Sequence, residues 1–244
     1  MTWLAVLALG LGAGTLSGIV GFGASIMLMP ALVLAFGPVE AVPIMAIAGM
    51  LANLSRVLVW WREVDWRANA YYCATGVPAA ALGARTLLAL DPRLVEGFLG
   101  ALFLTMIPAR RWLLGRGLRI AAWHLALVGA GIGFLSGMVA STGPINTPFF
   151  LAYGLVKGAY LSTEAMGSMA IGITKAVVFH TFDALPLEIV GRGLLIGVSL
   201  MLGSRLAKGF VLRLDAHQFR TLMDCLLAVA GLVLLGGALL LPPR

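Results

Sequence analysis

Apolar residues fill this chain in runs that few charges interrupt, covering roughly residues 3–20, 24–36, 41–61, 69–89, 95–109, 121–139, 144–156, 161–181, 190–204 and 218–241. The breaks fall at Gly37-Pro38, Arg62–Arg67, Asp91-Pro92, Arg110–Arg119, Lys157-Gly158, Asp183–Glu188 and Lys208–His217. Glycine and proline punctuate several of them, as helix ends and turns require. Runs of this length and polarity predict α-helices that have lipid as their solvent.

Two stretches are too long for one crossing. From Trp3 to Phe36 a single helix would extend about 50 Å, against a bilayer core of about 30 Å. The same holds for Ile120–Val156. Each contains a breaker cluster, Gly21-Phe22-Gly23 in the first and Ser141-Thr142-Gly143-Pro144 in the second. The pattern predicts two helical hairpins with their tips at or within membrane depth. Their outgoing arms, near 24–36 and 144–156, are short for complete spans, which favours re-entrant hairpins.

The chain also repeats itself. Leu16-Ser17-Gly18-Ile19-Val20 echoes Leu135-Ser136-Gly137-Met138-Val139, and Pro30 matches Pro148 after one gap. Arg56 falls opposite Lys175, and Gly83-Ala84-Arg85 opposite Gly203-Ser204-Arg205. Four matches in one order predict a duplicated unit of about 119 residues. The basic clusters are Arg62/Arg67, Arg110/Arg111/Arg116/Arg119 and Arg205/Lys208/Arg213/Arg220, whereas the loops around Glu40, Asp91/Glu96 and Asp183/Glu188 are neutral or acidic. A hairpin plus three spans per half puts all three basic clusters on one side. A single crossing through Trp3–Phe36 would put the third outside. The positive-inside rule therefore selects hairpins and an odd number of crossings per half, and an odd number inverts one half relative to the other. The expected fold is an all-α integral membrane protein of two inverted-topology repeats, 1–118 and 119–244. Each would be a broken-helix or re-entrant hairpin plus three transmembrane helices, the two together forming one transport domain.

Composition sharpens this. The 244 residues are 61% hydrophobic and 11% charged, where a soluble domain carries about a quarter charged residues. The formal net charge of +7 resides mainly between apolar runs, without the aromatic interleaving of a nucleic-acid surface. Cys73 and Cys225 lie inside apolar segments and predict no disulfide scaffold. Met1-Thr2-Trp3 lacks the basic start of a signal peptide, so the first apolar run is expected to be a permanent part of the fold.

Hairpin tips leave backbone N–H groups without intrahelical partners, and such helix starts attract anions. Gly21 and Gly23 allow close backbone approach, Gly143 is a further candidate contact at the second tip, and Ser25, Ser141, Thr142, Asn146 and Thr147 add side-chain donors. Tight packing of small residues is the competing reading for the glycines. Arg56 and Lys175 sit inside apolar segments, where a cation costs about 2.5–3.5 kcal/mol or more. Snorkelling to the interface is the alternative there. Each cation ends a stripe of small or polar residues at helical spacing, Gly49/Asn53/Arg56 and Ser168/Gly172/Lys175. Two cations flanking a cavity would suit a divalent oxyanion. His180 and Asp183 can share a helix face, with His180 the candidate proton relay against a plain interfacial role. They are too few for a metal site, and no metal or cofactor is expected. The six tryptophans, Trp3, Trp60, Trp61, Trp66, Trp112 and Trp123, lie near predicted ends as an interfacial belt.

Ser17-Gly18-Ile19-Val20-Gly21-Phe22-Gly23 with Pro30, then Val64-Asp65-Trp66-Arg67, then Gly83-Ala84-Arg85 resemble the TauE/SafE family of sulfite exporters. Ser136-Gly137 through Pro148, with Gly203-Ser204-Arg205, repeats the pattern in the second half. The resemblance implies a multi-pass exporter of the bacterial inner membrane that handles sulfite, organosulfonates or related anions. The family's glycine signatures map onto Gly18, Gly21, Gly23, Gly137 and Gly143. Ala140, Ser141 and Thr142 make the second tip more polar and bulkier than the family pattern.

The expected function is alternating-access export of a small sulfur-containing anion from a midplane site, with no enzymatic activity. Partners would be that anion and the bilayer, not nucleic acid. The oligomeric state stays open, a homodimer among the options. Export down an inside-negative potential needs no coupling ion, since one charge through 100 mV is worth about 2.3 kcal/mol. The alternatives are an anion channel on the same scaffold and an intramembrane enzyme acting on a lipid phosphate. The latter lacks an acid or His at either tip to serve as base, and no phosphate-binding loop with Lys-Ser/Thr occurs for ATP-driven transport.

Overall fold

The computed structural model describes residues 3–20, 24–117, 119–139, 142–155 and 157–210, together with positions 225, 228, 229, 232, 235 and 236. The described residues form helices without strands. They are α1 (Trp3–Val20), α2 (Ala24–Phe36), α3 (Pro38–Trp60), α4 (Trp66–Ala89), α5 (Pro92–Gly115), α6 (His124–Met138), α7 (Gly143–Tyr153), α8 (Lys157–Thr181) and α9 (Leu187–Phe210), with a 3₁₀ turn at Trp61–Glu63. Most of the apolar run near 218–241 lies outside the described residues, as do Gly21, Gly23 and Ser141.

Helix ends follow local chemistry. Gly37, at φ 81°, turns the chain between α2 and α3, and Pro38 opens α3 with its fixed φ. Gly154, at φ 108°, ends α7, where its N–H reaches the Leu151 carbonyl and the Leu155 N–H the Phe150 carbonyl. That is a left-handed cap, open to glycine at least cost. Asp65 caps α4 by accepting the Ala68 N–H at 2.9 Å. Its own N–H donates to the Thr163 hydroxyl at 2.9 Å, tying the start of α4 to α8.

Two boundaries differ from the sequence expectation. α5 continues through Arg110 and Arg111 to Gly115, and Lys157-Gly158 forms the first turn of α8 rather than a break. Charge alone does not end a helix, because Arg and Lys are good helix formers. A charge cluster marks where a helix leaves the apolar layer, not where its hydrogen bonds stop.

Among the described residues, large apolar side chains face outward while Arg56, Glu164 and Lys175 are buried. Leu127 is 66% exposed and Leu82 62%, whereas Glu164 and Lys175 are each 4% exposed. A water-soluble fold inverts that arrangement. α3 through the following turn (Pro38–Glu63) and Leu187–Ser204 are long and apolar enough to cross a bilayer. At 1.5 Å per residue, α2 and α7 reach only about 20 Å and 16 Å, well short of a bilayer core.

Glycine ladders set the packing. Gly10, Gly14 and Gly18 bring α1 against Ser199, Leu200 and Ser204 of α9, and a Cβ added at Gly14 would stand 2.2 Å from the Leu200 carbonyl oxygen. Gly129, Gly133 and Gly137 bring α6 against Tyr72, Gly76 and Ala80 of α4, and a Cβ at Gly133 would stand 2.5 Å from the Gly76 carbonyl oxygen. Each glycine of the second ladder lies 119 positions after its counterpart in the first. The spacing of four residues puts each ladder on one helix face, and backbones approach closely enough to pack where lipid supplies no hydrophobic drive. α3 and α8 pack antiparallel at the centre, Gly158 facing Trp60 and Gly172 facing Met50.

Candidate anion-binding cavity

The central pair α3 and α8, both hairpins and a set of small residues enclose a cavity of about 70 Å³. α3 and α8 give it charge, with Asn53 and Arg56 from the first and Glu164, Ser168 and Lys175 from the second. Ser17 at the end of α1 and Ala24 and Ser25 at the start of α2 line it from one hairpin. Ser136, Thr142 and Gly143 line it from the other. A few water molecules or one small polyatomic ion fit such a space.

Arg56 is 7% exposed, so it does not snorkel. Its Nη1 donates to Glu164 Oε2 at 2.8 Å, and Nη2 donates to Asn53 Oδ1. The Ser168 hydroxyl donates to Glu164 Oε1 at 2.7 Å. The Arg56 Nε is buried without a hydrogen-bond partner. A guanidinium carries five N–H donors, so this buried cation retains donor capacity that an oxyanion could use.

Lys175 is also enclosed. Its Nζ donates to the Ser136 carbonyl at 2.8 Å and the Val139 carbonyl at 3.2 Å. These carbonyls end α6, where the helix dipole favours a cation. An ammonium has three donors, so one N–H remains beyond these two bonds. Glu164 and Lys175 are 11 positions apart, hence on one face of α8 and about 16 Å apart along its axis. The Arg56–Glu164 pair thus holds one end of the cavity and Lys175 the other.

The hairpin residues divide. Thr142 stands at the N-cap of α7 but makes no capping bond, its hydroxyl being engaged with Ser136. Ser25 and Gly143 reach the cavity. Asn146 does not line it. Asn146 is 2% exposed beside the Tyr72 hydroxyl, and its Oδ1 lacks a partner. Thr147 bonds Tyr160 at 2.6 Å. His180 is exposed near the end of α8 and is not among the cavity residues. Among the described residues no group of three or more His, Cys, Asp or Glu side chains could hold a metal ion.

A model of the sulfite exporter TauE/SafE family matches residues 6–234 of this chain. The chain belongs to the TauE/SafE family. No curated protein and no solved structure matches it. TauE/SafE membership makes it a membrane transport protein, and the apolar exterior fits lipid surroundings. The family-signature glycines take different positions here. Gly18 and Gly137 sit in the helix seams and Gly143 lines the cavity, while Gly21 and Gly23 lie outside the described residues.

Sequence reasoning missed Glu164. Its signal was present, because one turn before Ser168 the stripe Ser168/Gly172/Lys175 continues back to Glu164 at i−4. Ser17 and Ser136 were noted only as parts of the repeat, and their serines also line the cavity.

Proposed function

We propose that this TauE/SafE member exports a small sulfur-containing oxyanion, sulfite or an organosulfonate, by alternating access about the α3–α8 cavity. The observation that carries this reading is a single cavity holding two buried cations, Arg56 and Lys175, with donor capacity to spare. A tetrahedral or pyramidal oxyanion would take hydrogen bonds from either cation, and hydroxyls such as Ser25 and the two helix starts would complete its shell. Gly21, Gly23 and Ser141, expected from the sequence to contact the anion, lie outside the described residues.

We also read the architecture as two inverted repeats, 1–118 and 119–244, with re-entrant hairpins at α1–α2 and α6–α7. Three observations support it. α1 packs on α9 while α6, its sequence counterpart, packs on α4, the counterpart of α9. The seam glycines correspond position for position. The counterpart helices α3 and α8 run antiparallel. Such halves can rock about a fixed midplane site. The bacterial inner membrane is the matching location, with the basic loops inside.

The test is a thermal-shift and calorimetric screen of purified protein against sulfite, methanesulfonate, taurine, sulfate, thiosulfate and chloride. One or more of the sulfur oxyanions should bind and raise Tm, by about 2.7 kcal/mol of stabilisation at 100 times Kd. Arg56→Ala should abolish the shift. Binding that ignores Arg56 and Lys175, or no binding by any anion, would overturn the assignment. Saturable counterflow in proteoliposomes identifies a carrier, and single-channel currents would identify a pore instead.

A further inference from the structure

Glu164 is an acid placed where an anion-binding cavity would be expected to exclude one. It is 4% exposed, and its Oε2 occupies Nη1 of Arg56, so an oxyanion drawn to the free Nε would meet a carboxylate on the same guanidinium. The repeat does not demand it, since the residue 119 positions earlier is Met45, which also lines the cavity. A buried ion pair of this kind is weak as a stabilising device, and a hydrophobic pair of similar volume often replaces one at no cost. Removing one partner's counter-charge is another matter, because it leaves the other charge buried and uncompensated. An anion that displaced the Glu164 carboxylate from Arg56 would leave such an unpaired charge. Among the described residues lining the cavity the carboxylate has no second cation close by, because Lys175 stands about 16 Å along the same helix and is held by the α6 carbonyls.

We infer that Glu164 is the proton-binding residue of the transport site, a tethered counter-anion that leaves Arg56 by taking up one proton when the substrate anion binds. This rests on the cavity being the anion site. The balance is simple. The Arg56 Nη1–H···Oε2 bond breaks, one proton from bulk water adds to the Glu164 carboxylate, and the Nη1–H is taken by a substrate oxygen. The neutral carboxyl then has an O–H of its own, which donates to the same anion, while Ser168 still donates to Oε1. Glu164 changes from competitor to ligand, and no buried charge is left unpaired. Release of the anion returns the proton to water and restores the Arg56–Glu164 pair.

Other titratable and charged groups surround Glu164. Arg56 faces it from α3. Tyr72 approaches from α4, and Cys73 beside it donates to Asn69. Tyr160 and Lys175 share its own helix. The 3₁₀ turn brings Glu63 to Gly158, six positions up the helix, and its Arg62 lies over Trp61. From α6 and α7 the cavity receives neutral Ser136, Thr142 and Gly143. Ordinary phenols, thiols and guanidinium groups titrate above neutral pH, and the Glu164→Gln variant separates the carboxyl from the Lys175 amine.

The test measures methanesulfonate binding to the full-length protein across mildly acidic to mildly alkaline pH, because a sulfonate keeps its charge throughout. Calorimetry in buffers of different ionisation enthalpy counts the protons taken up. The parent should bind about tenfold more tightly per unit fall in pH while Glu164 is ionised in the empty site, with about one proton absorbed per anion. Glu164→Gln should bind tightly at every pH and absorb none. Glu164→Asp should keep the slope, and serves if the Gln variant does not fold. A parent that binds with no pH slope and no proton uptake overturns the inference, as does a Gln variant with the parent's slope. Failure to bind any sulfur oxyanion at any pH would instead remove the anion site itself.

Discussion

At the residue scale, the two cavity cations are held in different ways, and their variants should separate accordingly. Arg56 is held by a carboxylate and an amide, Lys175 by the carbonyls that end α6. Arg56→Ala strands Glu164, so a loss of about 3–5 kcal/mol in stability should accompany the loss of anion binding. Lys175→Met keeps an unbranched chain of similar length and removes only the charge. The freed carbonyls lie at a helix end, so the cost should be about 1–3 kcal/mol. Its anion affinity should fall at least about tenfold, equal to 1.4 kcal/mol. Chemical unfolding in detergent alongside calorimetry checks both. Equal anion affinity in Lys175→Met and the parent would remove Lys175 from the site. The sequence marked both cations because a charge in an apolar run stands out. It hid Glu164 because an acid at the fourth residue of the run 161–181, just after the Lys157-Gly158 break, reads as part of the loop.

At the element scale, helix contact here is a matter of backbone approach. Gly14 and Gly133 admit no Cβ without moving a carbonyl, while a Cβ at Gly12 or Gly131 meets nothing within 4 Å. Gly14→Val and Gly133→Val should each open their seam and destabilise by more than about 1–3 kcal/mol, the usual cost of overpacking. Gly12→Ala and Gly131→Ala should be neutral or stabilising by up to about 1 kcal/mol through helix propensity. Thermal unfolding of the four variants ranks them. A Val variant as stable as its Ala control would show that the seams are looser than the backbone contacts imply. The helices themselves were legible from apolar runs punctuated by Gly and Pro, with α1 and α2 matching the runs 3–20 and 24–36. The ladders are legible only in part. Their spacing of four shows one small-residue face, but not which helix covers it, since glycine carries no side chain to specify a partner.

At the scale of the whole molecule, apolar residues face outward and Arg56, Glu164 and Lys175 inward, which fixes lipid as the surroundings. Alternating access then predicts that one cavity residue meets water from each side in turn. With Cys73 and Cys225 replaced, a cysteine at Ser168 should react with membrane-impermeant thiol reagents applied from either side, more slowly when methanesulfonate is present. Reaction from one side alone, unchanged by the anion, would contradict a rocking mechanism. The sequence by itself determined the solvent, the helices, the 119-residue correspondence and the family, because each follows from local composition, spacing or a motif read in order. The tertiary structure decided which helices meet, that Asn146 and His180 stand away from the cavity, and that Glu164 closes on Arg56. Pairing an acid with a cation 108 positions away depends on how α3 and α8 cross, and that crossing is set by the summed packing of all the helices rather than by any local stretch of chain.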